Sequence, residues 1–128
     1  MNGYSVKVQQ SSKQLTPREK LMCSDTTNAV KLDDVVKPNE PYRIEPESYC
    51  VLAVHNESAD NNKDYNVYLI FSTDGTKYVT GSESFWNSFS DIWETMHEED
   101  SEEKFAIECY KIESKNYKGK FFLTCSII

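Results

Sequence analysis

The stretch IESKNYKGKFF, residues 112–122, gathers the side chains of this chain best suited to chemistry. Lys115, Lys118 and Lys120, with Lys111 just upstream, crowd around Tyr117, Phe121 and Phe122. Glu113 is the only acid among them. Cations that follow phosphates and flat rings on which bases stack are what a single-stranded nucleic acid asks of a protein. Each stacked base contributes about 1–3 kcal/mol and needs no particular sequence. Tyr110 and Phe122 point outward from the same segment and extend the ring set. The plainer alternative is a solvated turn whose lysines keep a strand edge from aggregating.

A second set of rings lies upstream. Eight of 128 residues are tyrosine, and Tyr65, Tyr68 and Tyr78 fall on one predicted hairpin with Lys77 between them. Each ring suits a groove wall or a core edge, because a tyrosine tolerates both exposure and burial. His55, on the strand before them, is either a groove residue or an ordinary surface one.

Catalysis finds no foothold. His55 and His97 have no nucleophile nearby in sequence, and GxSxG, HExxH, GxGxxG and Walker patterns are missing. His97 is expected to end a helix, where its charge suits the helix dipole. Cys23, Cys50, Cys109 and Cys125 are widely spaced, with no CxxC pair. They read as reduced, half-buried thiols rather than zinc ligands, although Cys109 and Cys125 can meet in a terminal hairpin. The expectation is a protein that is not an enzyme and needs no cofactor and no metal.

Charge is uneven. The net charge is −7, yet residues 104–128 hold five lysines and two glutamates, a local +3. Glu94, Glu98, Glu99, Asp100, Glu102 and Glu103 form an acidic block. The sum argues against general nucleic-acid affinity, but binding responds to local distribution. The block is either a solvated helix end and loop or a mimic of a DNA backbone. With 38% hydrophobic and 27% charged residues, the chain reads as one soluble globular domain. Its apolar runs are too short for a membrane span, and MNGYSVKVQQ lacks a signal-peptide pattern, so a cytoplasmic location is expected.

The elements that must position these residues follow from pattern. Residues 1–40 form a poorly defined N-terminal arm: a short strand over 4–8, then a helix in TPREKL with Thr16 as cap and Pro17 first inside. Strand and helix fit 29–36 equally. The turn signals of KPNEP separate this arm from a domain over 41–128. There a long strand, 42–55, bends at Pro46 and alternates in polarity. A polar loop leads to a strand over 65–72 and its return over 76–80. Asp74-Gly75 suits a two-residue type I′ turn, which would set Phe71 opposite Tyr78 and Ile70 opposite Val79. Ser82 caps a helix whose stripe of Phe85, Trp86, Phe89, Ile92, Trp93 and Met96 has helical period and should face the core. Strands over 104–113 and 120–128 close the chain, with Ile107 opposite Cys125 and Tyr110 opposite Phe122. The order strand, strand, strand, helix, strand, strand is that of an OB-fold, a mainly β five-stranded barrel with its helix between strands 3 and 4. On such a barrel the central hairpin lines the ligand groove.

The segments IFSTDGTKYVTGSESFWNSFSDIWETM and YKIESKNYKGKFFLTCSI carry a resemblance. Together the chain resembles the small single-stranded DNA-binding proteins of phages of Gram-positive bacteria, in particular those of protein-primed Bacillus phages. The shared order is an IF-x-x-DG hairpin, a tyrosine three residues after the Gly, a helix, and a late KGKFF strand. It spans roughly the last 65 residues. The resemblance implies an OB-fold and sequence-independent coating of single strands during phage DNA replication. It implies a binding role for Tyr78. It puts His55 where the family has a tyrosine, and a further family tyrosine near residues 61–65.

The expected partner is single-stranded DNA, with bases on Tyr78, Tyr68, Tyr65, Tyr110 and Phe122 and phosphates on Lys77, Lys111, Lys115, Lys118 and Lys120. Replication proteins are expected at the acidic segment 94–103, no membrane, and a monomer or weak homo-oligomer. The competing expectation is an acidic phage protein that inhibits a host nucleic-acid-binding protein through the same acids.

Overall fold

The structure, a computed structural model, describes residues 4–57, 64–98 and 104–128. Along the chain run β1 (Tyr4–Ser11), α1 (Pro17–Ser24), β2 (Val30–Lys31), α2 (Leu32–Val35), β3 (Tyr42–Ile44) and β4 (Pro46–Asn56). Then come β5 (Asp64–Ser72), β6 (Lys77–Thr80), α3 (Glu83–Met96), β7 (Ile107–Glu113) and β8 (Phe121–Ile127). The chain is mainly β, with strand order β1-β4-β5-β6-β2 in one sheet and β3-β7-β8 in the other. Among the described residues neither sheet closes, so the expected five-stranded barrel is not what the strands form. The helix does lie where the pattern placed it, between β6 and β7. No described helix is long and apolar enough to cross a membrane.

The chain divides into two units, residues 1–30 with 47–81 and residues 31–46 with 82–128. In the first, β1 runs antiparallel to β4, from Tyr4 opposite Asn56 to Ser11 opposite Cys50, with an irregularity between Val8 and Gln10. The N-terminal segment is therefore an added strand. α1 follows because Thr16 and Glu19 form a reciprocal capping box ahead of Pro17. Glu19 N–H donates to Thr16 Oγ1 at 3.2 Å, and Thr16 N–H donates to Glu19 Oε1 at 3.0 Å. Two helix-end donors are thereby satisfied. Cys23, Cys50, Leu52 and Leu69 form a buried core, flanked by Val6, Val8, Leu15, Val67, Phe71 and Val79. Each fully buried aliphatic side chain here is worth about 1.5–3 kcal/mol of transfer free energy.

The β5–β6 turn differs from the expected one. Ser72 N–H donates to Thr76 O at 2.9 Å and Gly75 N–H to Ser72 O at 3.0 Å, with Gly75 at φ +90°. The loop is thus three residues, Thr73-Asp74-Gly75, with glycine in the left-handed position. Asp74 Oδ1 accepts from Thr76 N–H at 2.9 Å, and that bond lowers the Asp74 carboxyl pKa. The extra loop residue shifts the register by one. Tyr78 is opposite Ile70 and Lys77 opposite Phe71, not Phe71 opposite Tyr78. A one-residue slip exchanges the partners on each face.

In the second unit, α2 is a single turn that begins directly after β2, with Leu32 and Val36 buried. Both expectations for 29–36 therefore hold in part. The expected long strand over 42–55 breaks at its proline. β3 pairs with β7, Arg43 opposite Glu108, while β4 belongs to the other sheet. Pro46 lacks the N–H that would continue a ladder, so the chain changes sheet there. β7 and β8 pair from Ile107 opposite Ile127 to Glu113 opposite Phe121. This is two residues from the expected register, so each side chain keeps its face but changes its partner: Cys109 opposes Cys125, and Tyr110 opposes Thr124.

α3 begins at Ser82, whose hydroxyl accepts from Phe85 N–H at 3.1 Å. It lies on β8: Ser84 Oγ donates to Leu123 O at 2.7 Å, and the Ser88 and Thr124 hydroxyls are 2.9 Å apart. Phe85 and Phe89 are fully buried with rings stacked at 5.9 Å. Trp86, Ile92, Trp93 and Met96, expected in the core, are only half-buried.

Candidate nucleic-acid interface

The second unit holds the lysine-aromatic segment on the β7–β8 ribbon. Gly119 at φ +82° and a bond from Lys120 N–H to Tyr117 O at 3.2 Å make a turn over 117–120 with glycine at its third position. That conformation suits glycine, which has no Cβ to clash. A second bond, Ser114 N–H to Lys120 O at 2.8 Å, closes the loop onto the ribbon. The turn folds Lys120 back over Tyr117, with Nζ 5.5 Å from the ring centre. A cation there is attracted by the ring quadrupole.

Beyond the part of β8 beside α3, the ribbon is open. Tyr117 is 64% exposed, Phe121 44% and Phe122 41%. Lys115, Lys118 and Lys120 are exposed around them. Phe122 lies opposite Ile112 on the ribbon face that also carries Tyr110, and Phe121 lies on the other face opposite Glu113. Tyr110 is half-buried, with its hydroxyl 2.7 Å from Ser126 Oγ. Lys111 turns away from this cluster: its Nζ donates to Asp33 O at 2.8 Å. That bond ties Lys111 back to the fold and not to the exposed cluster expected to share its phosphate contacts.

The remaining expected residues fall in the first unit. Tyr68 and Tyr78 are 4% and 5% exposed. No base can lie on a ring packed that deeply, so both leave the stacking set. Tyr78 stands opposite Ile70, which is itself fully buried, and shares its face. Tyr65 is exposed on β5. Of residues 61–65, where the resemblance implied another tyrosine, positions 61–63 lie outside the described residues.

Lys77 is also occupied. Its Nζ donates to Met22 O and Asp25 O, both at 2.8 Å, at the end of α1. A cation there satisfies carbonyls that the helix leaves without partners. His55 is held between two carboxylates, Nδ1 2.5 Å from Asp64 Oδ1 and Nε2 2.6 Å from Glu57 Oε1. The bonds to Asp64 and then Glu57 raise its pKa. Flanked by two acids, the ring is poorly placed for phosphate.

Glu94 and Glu98 are exposed, whereas Glu99, Asp100, Glu102 and Glu103 lie outside the described residues. His97 ends α3 as expected, its Nδ1 2.8 Å from Trp93 O and its ring stacked on Trp93 at 4.2 Å. The four cysteines are buried and unbridged. Burial pushes the Cys125 thiol up to about 12, and burial together with neighbouring Cys23 pushes Cys50 up to about 12.

Sequence pattern missed exposed Ile112 and named Phe121 in the cluster without placing it among the stacking rings. In an alternating strand one of Phe121 and Phe122 should be buried. Both are exposed, and no local signal carries that. No family model, curated protein or solved structure matches the chain.

Proposed function

We propose that this protein binds single-stranded DNA without sequence preference, through the tip of the β7–β8 ribbon. The carrying observation is the conjunction of three exposed rings, Tyr117, Phe121 and Phe122, with Lys115, Lys118 and Lys120 on one glycine turn. Exposed rings at a cationic tip are unfavourable in water and favourable under a stacked base. Lys120 covers one side of Tyr117, which leaves its other side for a base and sets a cation beside the adjoining phosphate.

We further read the chain as a variant of the OB type, related to the phage single-strand binders it resembles. In support, if β3 and β4 count as one strand that divides between two sheets at Pro46, the helix falls after the third strand of the 42–127 region. The binding surface in this proposal is smaller than the one expected from pattern. It leaves out Tyr65, Tyr68, Tyr78, Tyr110, His55, Lys77 and Lys111 and gains Phe121.

The test is fluorescence anisotropy of labelled oligonucleotides at several salt concentrations. Oligo(dT) and a mixed-sequence strand should bind alike, and duplex weakly. Three lysine–phosphate contacts on a single strand predict a slope of log K against log salt of about −2. Replacing Tyr117 and Phe122 together by Ala should cost about 2–6 kcal/mol of binding. Binding that is absent at low salt, or unchanged in the double variant, rejects the proposal.

A further inference from the structure

A second candidate site lies in the first unit and is independent of the function proposed for the ribbon. A cleft of about 280 Å³ opens between α1, the start of β4 and the β5–β6 turn. Leu15, Met22, Cys23 and Phe71 supply its apolar lining, with Tyr49 beside them. Cys23 belongs to the buried core and Leu15 and Phe71 pack against it, so the cleft reaches from solvent onto core surface. Apolar hollows with a few polar groups at the mouth are the usual form of small-ligand sites. An apolar cavity of about 150 Å³ takes a benzene ring, so this one has room for one ring and a short tail.

The rim decides the charge of that tail. Lys13 and Glu19 neutralise each other, Nζ to Oε2 at 3.5 Å, and Glu19 Oε1 already accepts from Thr16 N–H. Glu47, exposed at the rim, has no ion-pair partner among the described residues. One carboxylate is thus left over at the mouth of an apolar hollow. We propose that this cleft binds small aromatic amines, the ring against Leu15, Met22 and Phe71 and the ammonium at Glu47.

The fold supports a prepared hollow. The capping box and the two Lys77 bonds hold both ends of α1, and left-handed Gly75 shapes the opposite wall without a side chain. Tyr49 is fixed by Gln10 Nε2, which donates to its hydroxyl oxygen at 3.1 Å.

The experiment is an NMR titration of the whole chain with phenethylammonium, 3-phenylpropanoate and neutral ethylbenzene. Saturable shifts of the Leu15 and Met22 methyl resonances are expected with the amine at millimolar concentration, and weaker ones with the carboxylate. Glu47→Lys, a change at an exposed position that leaves the core intact, should weaken amine binding about fivefold, the scale of an exposed ion pair, and raise carboxylate binding. Lack of saturable shifts at those methyls overturns the site. Equal binding of amine and carboxylate, or an amine affinity unmoved in Glu47→Lys, overturns the ligand class. None of these outcomes touches oligonucleotide binding, so the two proposals stand or fall separately.

Discussion

Lys120 sits over the ring of Tyr117, 5.5 Å from its centre, because Gly119 between them takes a left-handed conformation at φ +82°. The pair depends on the dihedral and not on crowding, since a Cβ built at Gly119 meets nothing within 4 Å. Gly119→Ala should therefore destabilise the ribbon tip by about 1 kcal/mol through backbone strain alone. Oligonucleotide affinity should fall while the global urea midpoint moves little. Unchanged affinity with a normal fold would separate the turn from binding.

Tyr78→Ala and Tyr68→Ala are expected to act on folding. Both rings are buried, so truncation leaves a cavity, and an aromatic deleted from a core costs about 3–5 kcal/mol. Chemical denaturation should show that loss, with oligonucleotide affinity retained by whatever fraction stays folded. A stable Tyr78→Ala protein that no longer binds would return this ring to the interface.

His55 should give the fold a pH dependence. Its pKa is raised by Asp64 and Glu57, so the folded state holds the proton more tightly than the unfolded chain. That stabilisation is complete below the unfolded value, about 6.5, and is lost as pH rises through the higher folded value. The melting temperature should fall across that window, and His55→Gln should flatten the fall. An identical pH profile in the variant would show that the two contacts contribute nothing.

The thiols should be inert in the native state. All four are buried, and burial pushes Cys50 and Cys125 up to about 12, leaving little thiolate at neutral pH. Cys109 is pushed up as well, by burial first and by Cys125 opposite it. A thiol reagent at mildly alkaline pH should label the folded chain only as fast as it opens, then all four together in denaturant. One rapidly labelled cysteine would contradict the packing of its element.

Local chemistry was legible wherever a short stretch contains its own cause. Thr16 and Glu19 with Pro17 specify the start of α1, and Ser82 with the Phe85–Phe89 stripe specifies α3. Pro46 marks a bend, though not the change of sheet that occurs there, and the ring-and-lysine tip at 115–122 is visible as composition. The parity of β6 was not legible. Asp74-Gly75 serves a two-residue and a three-residue loop equally, and only packing of the two faces selects between them. That single residue decides that Tyr78 stands opposite Ile70 and not Phe71.

By itself, then, the sequence determined α1, α3, most strands and their order, that turns fall at Gly75 and Gly119, and the gathering of cations and rings along the chain, because each depends on neighbours a few residues apart. Only the tertiary structure decided which of those cations and rings remain available. Lys77 is taken by carbonyls 52 and 55 residues away and Lys111 by one 78 residues away. Tyr68 and Tyr78 are taken by burial. A lysine or tyrosine looks the same in sequence whether it meets solvent or protein. Its partner is chosen by the free energy of satisfying buried carbonyls and removing rings from water, which depends on segments that meet only when the chain has folded.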